Sequence, residues 1–122
     1  IHIRQGEHRL CLLRVNSSQA LQDQIKVGDL LPMHQGAGGK VIQAFEGRKG
    51  KLFDQIRKAG VLALPSDRIQ EISGISAPVF NDSGLLGALT LTMPTYRYNI
   101  KHTQIVKETA EKVSKLLSSR PA

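Results

Sequence analysis

The chain alternates between two hydrophobic periods, and the period assigns most of its elements. Two short strand-like runs open it in IHIRQGEHRLCLLRV, broken at Gln5, Gly6 and Glu7, which reads as a hairpin. Ser17 to Gln24 is polar and reads as a loop, and IKVGDLLPM is a further extended run. Val41, Ile42 and Phe45 then recur at helical spacing, which predicts a helix over about Gln35 to Phe45. After the basic loop EGRKGK, Leu52, Ile56 and Ala59 mark a second short helix stopped by Gly60. VLAL reads as a brief strand and RIQEISGISAPVF as a long one. NDSG is a turn by composition, and LLGALTLTM returns as the partner strand. The last helix carries Ile105, Thr109, Val113 and Leu116, flanked by Val106, Ala110 and Leu117, as its apolar face. Strands, helices, strands and a final helix predict an α+β domain: an antiparallel sheet with helices packed on it and room for a small-ligand pocket.

Composition narrows the partners. The 122 residues suit one domain with its own core. No apolar run is long enough to span a membrane as a helix. A lone cysteine, Cys11, has no internal disulfide partner, which suits a reducing cytoplasm and an inert place in the core. The formal charge is +7, which raises nucleic acid as a partner. Six of the cations lie between Lys40 and Lys58 and six more are spread from Arg97 to Arg120, without the interleaved aromatics of a single-strand binder. A solvated basic face is the better reading.

Little here points to catalysis. In LPMHQGAGGKVIQAF, His34 stands where a P-loop needs its first glycine and Val41 where it needs a hydroxyl. The dinucleotide fingerprint fails at Val41 as well. What survives is a glycine-lined helix N-terminus, whose unpaired amides attract anions and whose missing side chains permit close approach. Packing and ligand contact both remain open for Gly36, Gly38 and Gly39. His2, His8, His34 and His102 lack metal-ligand spacing, so neither a metal nor another cofactor is expected. Asp67 and Glu71 read as a solvated strand edge rather than a catalytic pair. Thr90 and Thr92 share one face of their strand, either as a solvent-facing row or as the floor of a polar pocket.

Four runs in series carry a resemblance. They are Gly28, Pro32, Met33, His34, Ala37, Gly39, Lys40 and Ala44; then Ile56, Arg57, Gly60 and Val61, with Asp67 where glutamate is usual; then ISAPVFN followed by Gly84; then ALTLTMPTYR. Together they resemble the C-terminal effector-binding domain of IclR-type bacterial transcriptional regulators. The resemblance implies a GAF-like fold for residues 1–122 as a single effector-binding domain, with the N-terminal winged helix-turn-helix absent from this chain. It implies a pocket formed by Ala37 and Gly38 at the helix start, Leu64 and Gly74 on the middle strands, and Thr90 and Thr92 on the last. The implied ligand is a small organic acid, a carboxylate held by amides and hydroxyls because none of these positions is an arginine. A homo-oligomer, dimer or tetramer, is implied, as is contact with DNA only through the missing domain. The segment Phe45 to Gln55 is shorter than in the family, and Gly36 replaces a serine or threonine, which removes a side-chain cap. A stand-alone enzyme on a GAF-like scaffold and an oligomerisation module with a vestigial pocket are the competing readings.

Overall fold

The computed structural model describes residues 1–15, 26–65 and 72–118. Strands β1 (His2–Gln5) and β2 (His8–Cys11) form the predicted hairpin, with Gly6 at a φ of 61° in the turn. Strand β3 (Leu30–Pro32) leads into helix α1 (Gly36–Phe45), and α2 (Lys51–Ala59) follows. Strands β4 (Leu62–Leu64), β5 (Ile72–Asn81) and β6 (Gly84–Pro94) come next. A single 3-10 turn at Thr95–Arg97 precedes the long helix α3 (His102–Ser118). The strands form one six-stranded sheet in the order β3-β2-β1-β6-β5-β4, each neighbouring pair antiparallel.

Side-chain alternation divides the core in two. Ile75, Ala77 and Val79 of β5 point to one face and pack with Met93, Val106 and Ala110, beneath α3. The alternate positions point to the other face, where Ala88 joins Val41, Ile42, Ala44 and Ile56 beneath α1 and α2. The result is three layers, with α1 and α2 on one side of the sheet and α3 on the other. A bulge between Val79 and Phe80 restores the pattern past the turn, so that Phe80 and Leu85 lie opposite each other. Phe80 meets Phe45 of α1 edge to face at 5.8 Å.

The ends of the helices obey local rules. Gly60 stops α2 in the left-handed conformation at φ 75°, and its amide donates to the Ile56 carbonyl. Helix α1 starts without a side-chain cap, at Gln35 and then Gly36 with φ 82°, as the glycine at that position implies. Its far end is closed by other residues: Arg57 Nη1 donates to the Ala44 carbonyl at 2.6 Å and to the Arg48 carbonyl at 2.8 Å. Arg4 forms a forked pair with Glu46, at 2.6 and 2.7 Å, and hydrogen bonding to that carboxylate raises the arginine above its ordinary value.

One expectation needs correction. The apolar face of α3 is narrower than its sequence implies. Val106 and Ala110 are buried and Val113 half-buried, but Ile105 and Leu116 are 57% and 75% exposed, and Thr109 faces solvent with them. The helix lies along β5, pinned where the Phe80 amide donates to Ser114 Oγ at 2.9 Å. Only the stripe through Val106, Ala110 and Val113 packs against the side chains of β5 and β6. The polar loop expected at Ser17 to Gln24, the start of the long strand, and Asp67 and Glu71 lie outside the described residues.

Candidate ligand-binding site

The register across the sheet assembles the site. Gly74 pairs with both Leu64 and Thr92, so these three form one row across β4, β5 and β6. Ser76 pairs with both Leu62 and Thr90, forming the next row. All six point to the α1 face, because cross-strand partners share a face and Leu62 packs with the α1 cluster. Leu64, Gly74, Thr90 and Thr92 are therefore neighbours, and Thr90 and Thr92 face a helix rather than open solvent. Ala37 and Gly38 lie in the first turn of α1, both buried. Gly38 sits directly over the Thr90 row: a Cβ there would stand 3.1 Å from Thr90 Oγ1 and 3.9 Å from Ser76 Oγ.

The two adjacent glycines do different work. A Cβ on Gly39 would stand 2.1 Å from the Met33 carbonyl oxygen, which is backbone, so Gly39 is required for α1 to pass the end of β3. A Cβ on Gly38 meets only side chains, Thr90 and Arg9. Packing and access to a polar cluster, left open by the glycine run, fall on neighbouring residues. Lys40 reaches back to the His34 carbonyl at 3.2 Å. The family lysine of this run serves the turn before the helix.

None of the six expected positions is an arginine, but an arginine from β2 lies close to them. Arg9 is 3% exposed and lies beneath the first turn of α1. Its Nη1 stands 3.4 Å from the Gly38 Cβ position, and its Nε 3.5 Å from that of Gly39. The glycines leave the space that the guanidinium occupies. Nη1 meets His2 Nδ1 at 2.6 Å, and His2 is itself 5% exposed. A guanidinium only donates, so Nδ1 accepts and the imidazole proton lies on Nε2. The two-residue hairpin had the information: it pairs Cys11 with His2 and Arg9 with Arg4, which puts all four on one face. Which face that is, and how far Arg9 reaches along it, depend on the docking of α1.

The hydroxyls form a directed chain. Thr90 Oγ1 donates to Ser76 Oγ at 2.9 Å, and Ser76 Oγ donates to the Leu89 carbonyl at 3.3 Å. The two hydroxyls and the carbonyl thus satisfy one another within the sheet. Thr90 Oγ1 keeps lone pairs for a further donor, and a hydroxyl proton can also turn toward an acceptor. Ser76, fully buried, is a second member of the cluster that the sequence reading left out.

Elsewhere the chemistry is sparse. Among the described residues, no group of three His, Cys, Asp or Glu side chains could hold a metal ion, and no helix is long and apolar enough to cross a membrane. Cys11 is a buried free thiol. Two cations of the basic stretch from Lys40 to Lys58 are committed within the fold: Arg48 donates to Gln43 Oε1 at 2.7 Å, and Arg57 closes the end of α1.

A six-stranded antiparallel sheet with two helices on one face, a long helix on the other, and a buried cationic and hydroxyl cluster under a glycine-lined helix start is the architecture of a GAF-like ligand-sensing domain. The profile of the bacterial transcriptional regulator IclR C-terminal family matches residues 50–118, more than half of the chain, and the protein belongs to that family. The glycine run lies before the matched segment, but solved structures cover it. The C-terminal domain of a transcriptional regulator from Vibrio cholerae is 26% identical over 90% of this chain and 81% of its own, with a TM-score of 0.74. An IclR homologue from Microbacterium hydrocarbonoxydans, solved with 4-hydroxybenzoate, superposes with a TM-score of 0.83 at 20% identity, over 95% of this chain and 58% of its own. HmgR of Pseudomonas aeruginosa also superposes with a TM-score of 0.83, at 18% identity, over 99% of this chain and 59% of its own. The chain thus spans little more than half the length of these last two proteins. No curated protein matches it.

Proposed function

We propose that residues 1–122 form a single effector-sensing domain of an IclR-type regulator. It binds a small organic acid and passes the occupied state to a separate N-terminal DNA-reading domain. The observation that carries this reading is the polar cluster of Arg9, His2, Ser76 and Thr90, buried beneath the glycine-lined start of α1. Buried polar and charged groups are costly to maintain in a core unless they serve a partner or each other. A solved relative with the same fold holds 4-hydroxybenzoate, which supports a carboxylate as the ligand class. Ala37, Gly38, Leu64, Gly74, Thr90 and Thr92 would line the pocket with the cluster.

The site is read as a sensor rather than a catalyst. Ser76 gives its proton to a backbone carbonyl rather than to a histidine, and His2 Nδ1 is engaged by Arg9, so neither forms a nucleophile–base pair with the other. The domain would act in the cytoplasm as a dimer or tetramer, without a cofactor, and would meet DNA only through its partner domain. The test is a thermal-shift screen against small carboxylates, since a ligand that binds only the folded state raises the melting temperature. A screen in which no acid shifts the melting temperature would reject the sensing role. In a gel shift at about 150 mM salt the isolated chain should form no sequence-selective complex, because a +7 protein binds DNA only weakly and blindly without a reading head.

A further inference from the structure

Helix α3 carries more apolar surface than the sheet beneath it uses. We propose that the unused side of α3 pairs antiparallel with α3 of a second copy of this chain, along a seam of Ile105, Thr109, Lys112 and Leu116 bordered by Glu108 and Lys115. The proposal gives a surface to the dimer or tetramer named above and is independent of the effector site.

Three observations converge. The first is spacing. The seam residues follow one another at intervals of four, three and four, the intervals of a helix–helix seam. At 3.6 residues per turn they fall within an arc of about 60°. The stripe of Val106, Ala110 and Val113 that packs on β5 and β6 lies about 100° further round the helix. The seam is therefore a side of α3 that its own sheet leaves open: Ile105 and Leu116 are mostly exposed, and Thr109 and Lys112 are exposed between them. Thr109 Oγ1 donates to the Ile105 carbonyl at 2.7 Å, so its hydroxyl is satisfied within the helix and its methyl is left to pack.

The second observation is direction. A parallel pair would set Lys112 against its own copy, which like charge opposes. An antiparallel pair sets one copy's Ile105 opposite the other's Leu116, and Thr109 opposite Lys112. Two apolar layers then enclose a polar centre, and a lysine in such a seam fixes register at some cost in strength. The third is charge. In that register Glu108 of one copy falls beside Lys115 of the other, and two-fold symmetry makes the pair twice. Both side chains are exposed on the same border of the seam. Glu108 accepts from Gln104 Nε2 at 3.0 Å, and a carboxylate accepts several donors at once.

A helix pair in contact over about 16 Å buries less than the ~1,200–2,000 Å² of a stable interface. The contact alone should therefore be weak, with a Kd on the order of 100 µM.

Sedimentation equilibrium of the whole chain from about 10 µM to about 1 mM measures this self-association. Ile105→Asp and Leu116→Asp should each weaken it by about tenfold or more, because each apolar layer occurs twice. Glu108→Lys and Lys115→Glu should each weaken it by about threefold or more, since exposed ion pairs are individually weak but here are doubled. Combining Glu108→Lys with Lys115→Glu should return it close to wild type, a recovery that separate structural roles for the two residues would not produce. Urea midpoints at low protein concentration confirm that each variant is folded. A chain that stays monomeric up to about 1 mM overturns the proposal together with the homo-oligomer, and leaves the sensing role standing. Association unchanged by Ile105→Asp and Leu116→Asp puts the interface on another surface and overturns the proposal alone. Charge reversals that cost nothing, or a double variant no better than the single ones, refute the antiparallel register and the proposal with it.

Discussion

Replacing Gly39 with alanine should damage the fold, whereas the same change one residue earlier should not. The added Cβ at Gly39 would lie 2.1 Å from the Met33 carbonyl oxygen, well inside any tolerated contact. That oxygen cannot easily swing aside. It accepts from Gln43 Nε2 at 2.7 Å, and Gln43 is held in turn by Arg48. Overpacking costs typically about 1–3 kcal/mol, and losing the buried bond to Gln43 adds about 1–3 kcal/mol. Alanine in a helix returns roughly 0.5–1 kcal/mol over glycine. The net expected loss is roughly 1–5 kcal/mol, against the ~5–15 kcal/mol typical of a domain. At Gly38 the Cβ meets Thr90 Oγ1 at 3.1 Å and Arg9 Nη1 at 3.4 Å, both ends of side chains that can shift by a few tenths of an ångström. The strain and the helical gain then nearly cancel, within about 1 kcal/mol. Urea unfolding of both variants decides the matter, read as midpoints at unchanged slope. A Gly39→Ala protein as stable as wild type, or a Gly38→Ala protein as unstable as Gly39→Ala, would refute the division of labour between the two glycines. Gly38→Ala should still weaken binding at the proposed pocket, because its Cβ crowds Thr90 Oγ1 and Arg9 Nη1.

Further outcomes follow from the same contacts. Val106→Asp should unfold the domain by burying a charge under α3, whereas Ile105→Asp, on the exposed side of the same helix, should leave the urea midpoint nearly unchanged. Arg57→Ala should cost about 1–3 kcal/mol because two carbonyls lose a charged donor, and Asp54→Ala should cost much less, since that carboxylate is largely exposed; thermal unfolding compares them. Thr90→Val should lower stability by only about 1 kcal/mol, since Ser76 keeps its bond to the Leu89 carbonyl; urea unfolding measures it.

Much of the architecture was legible in the sequence because it follows from local rules. The hairpin at Gly6, the stop at Gly60, the turn before Gly84 and the change of period between strands and helices are set by residues close together in the chain. Alternation also put Thr90 and Thr92 on one face, and the family resemblance named neighbours that the register does bring together: Leu64, Gly74 and Thr92 in one row, with Gly38 above Thr90. What the sequence could not give is depth and direction. Ile105, Val113 and Leu116 look equivalent along α3, and only the way the helix packs on β5 and β6 decides which of them water reaches. Thr90 looks like one member of a threonine row until Ser76, fourteen residues away, bonds to it. Arg9 looks like one more surface cation until α1 settles over it, because burial of a long side chain depends on what a distant helix leaves open. Period and turn chemistry act over a few residues and are written along the chain; the charge at the heart of the site comes from segments that meet only when the sheet and helix pack.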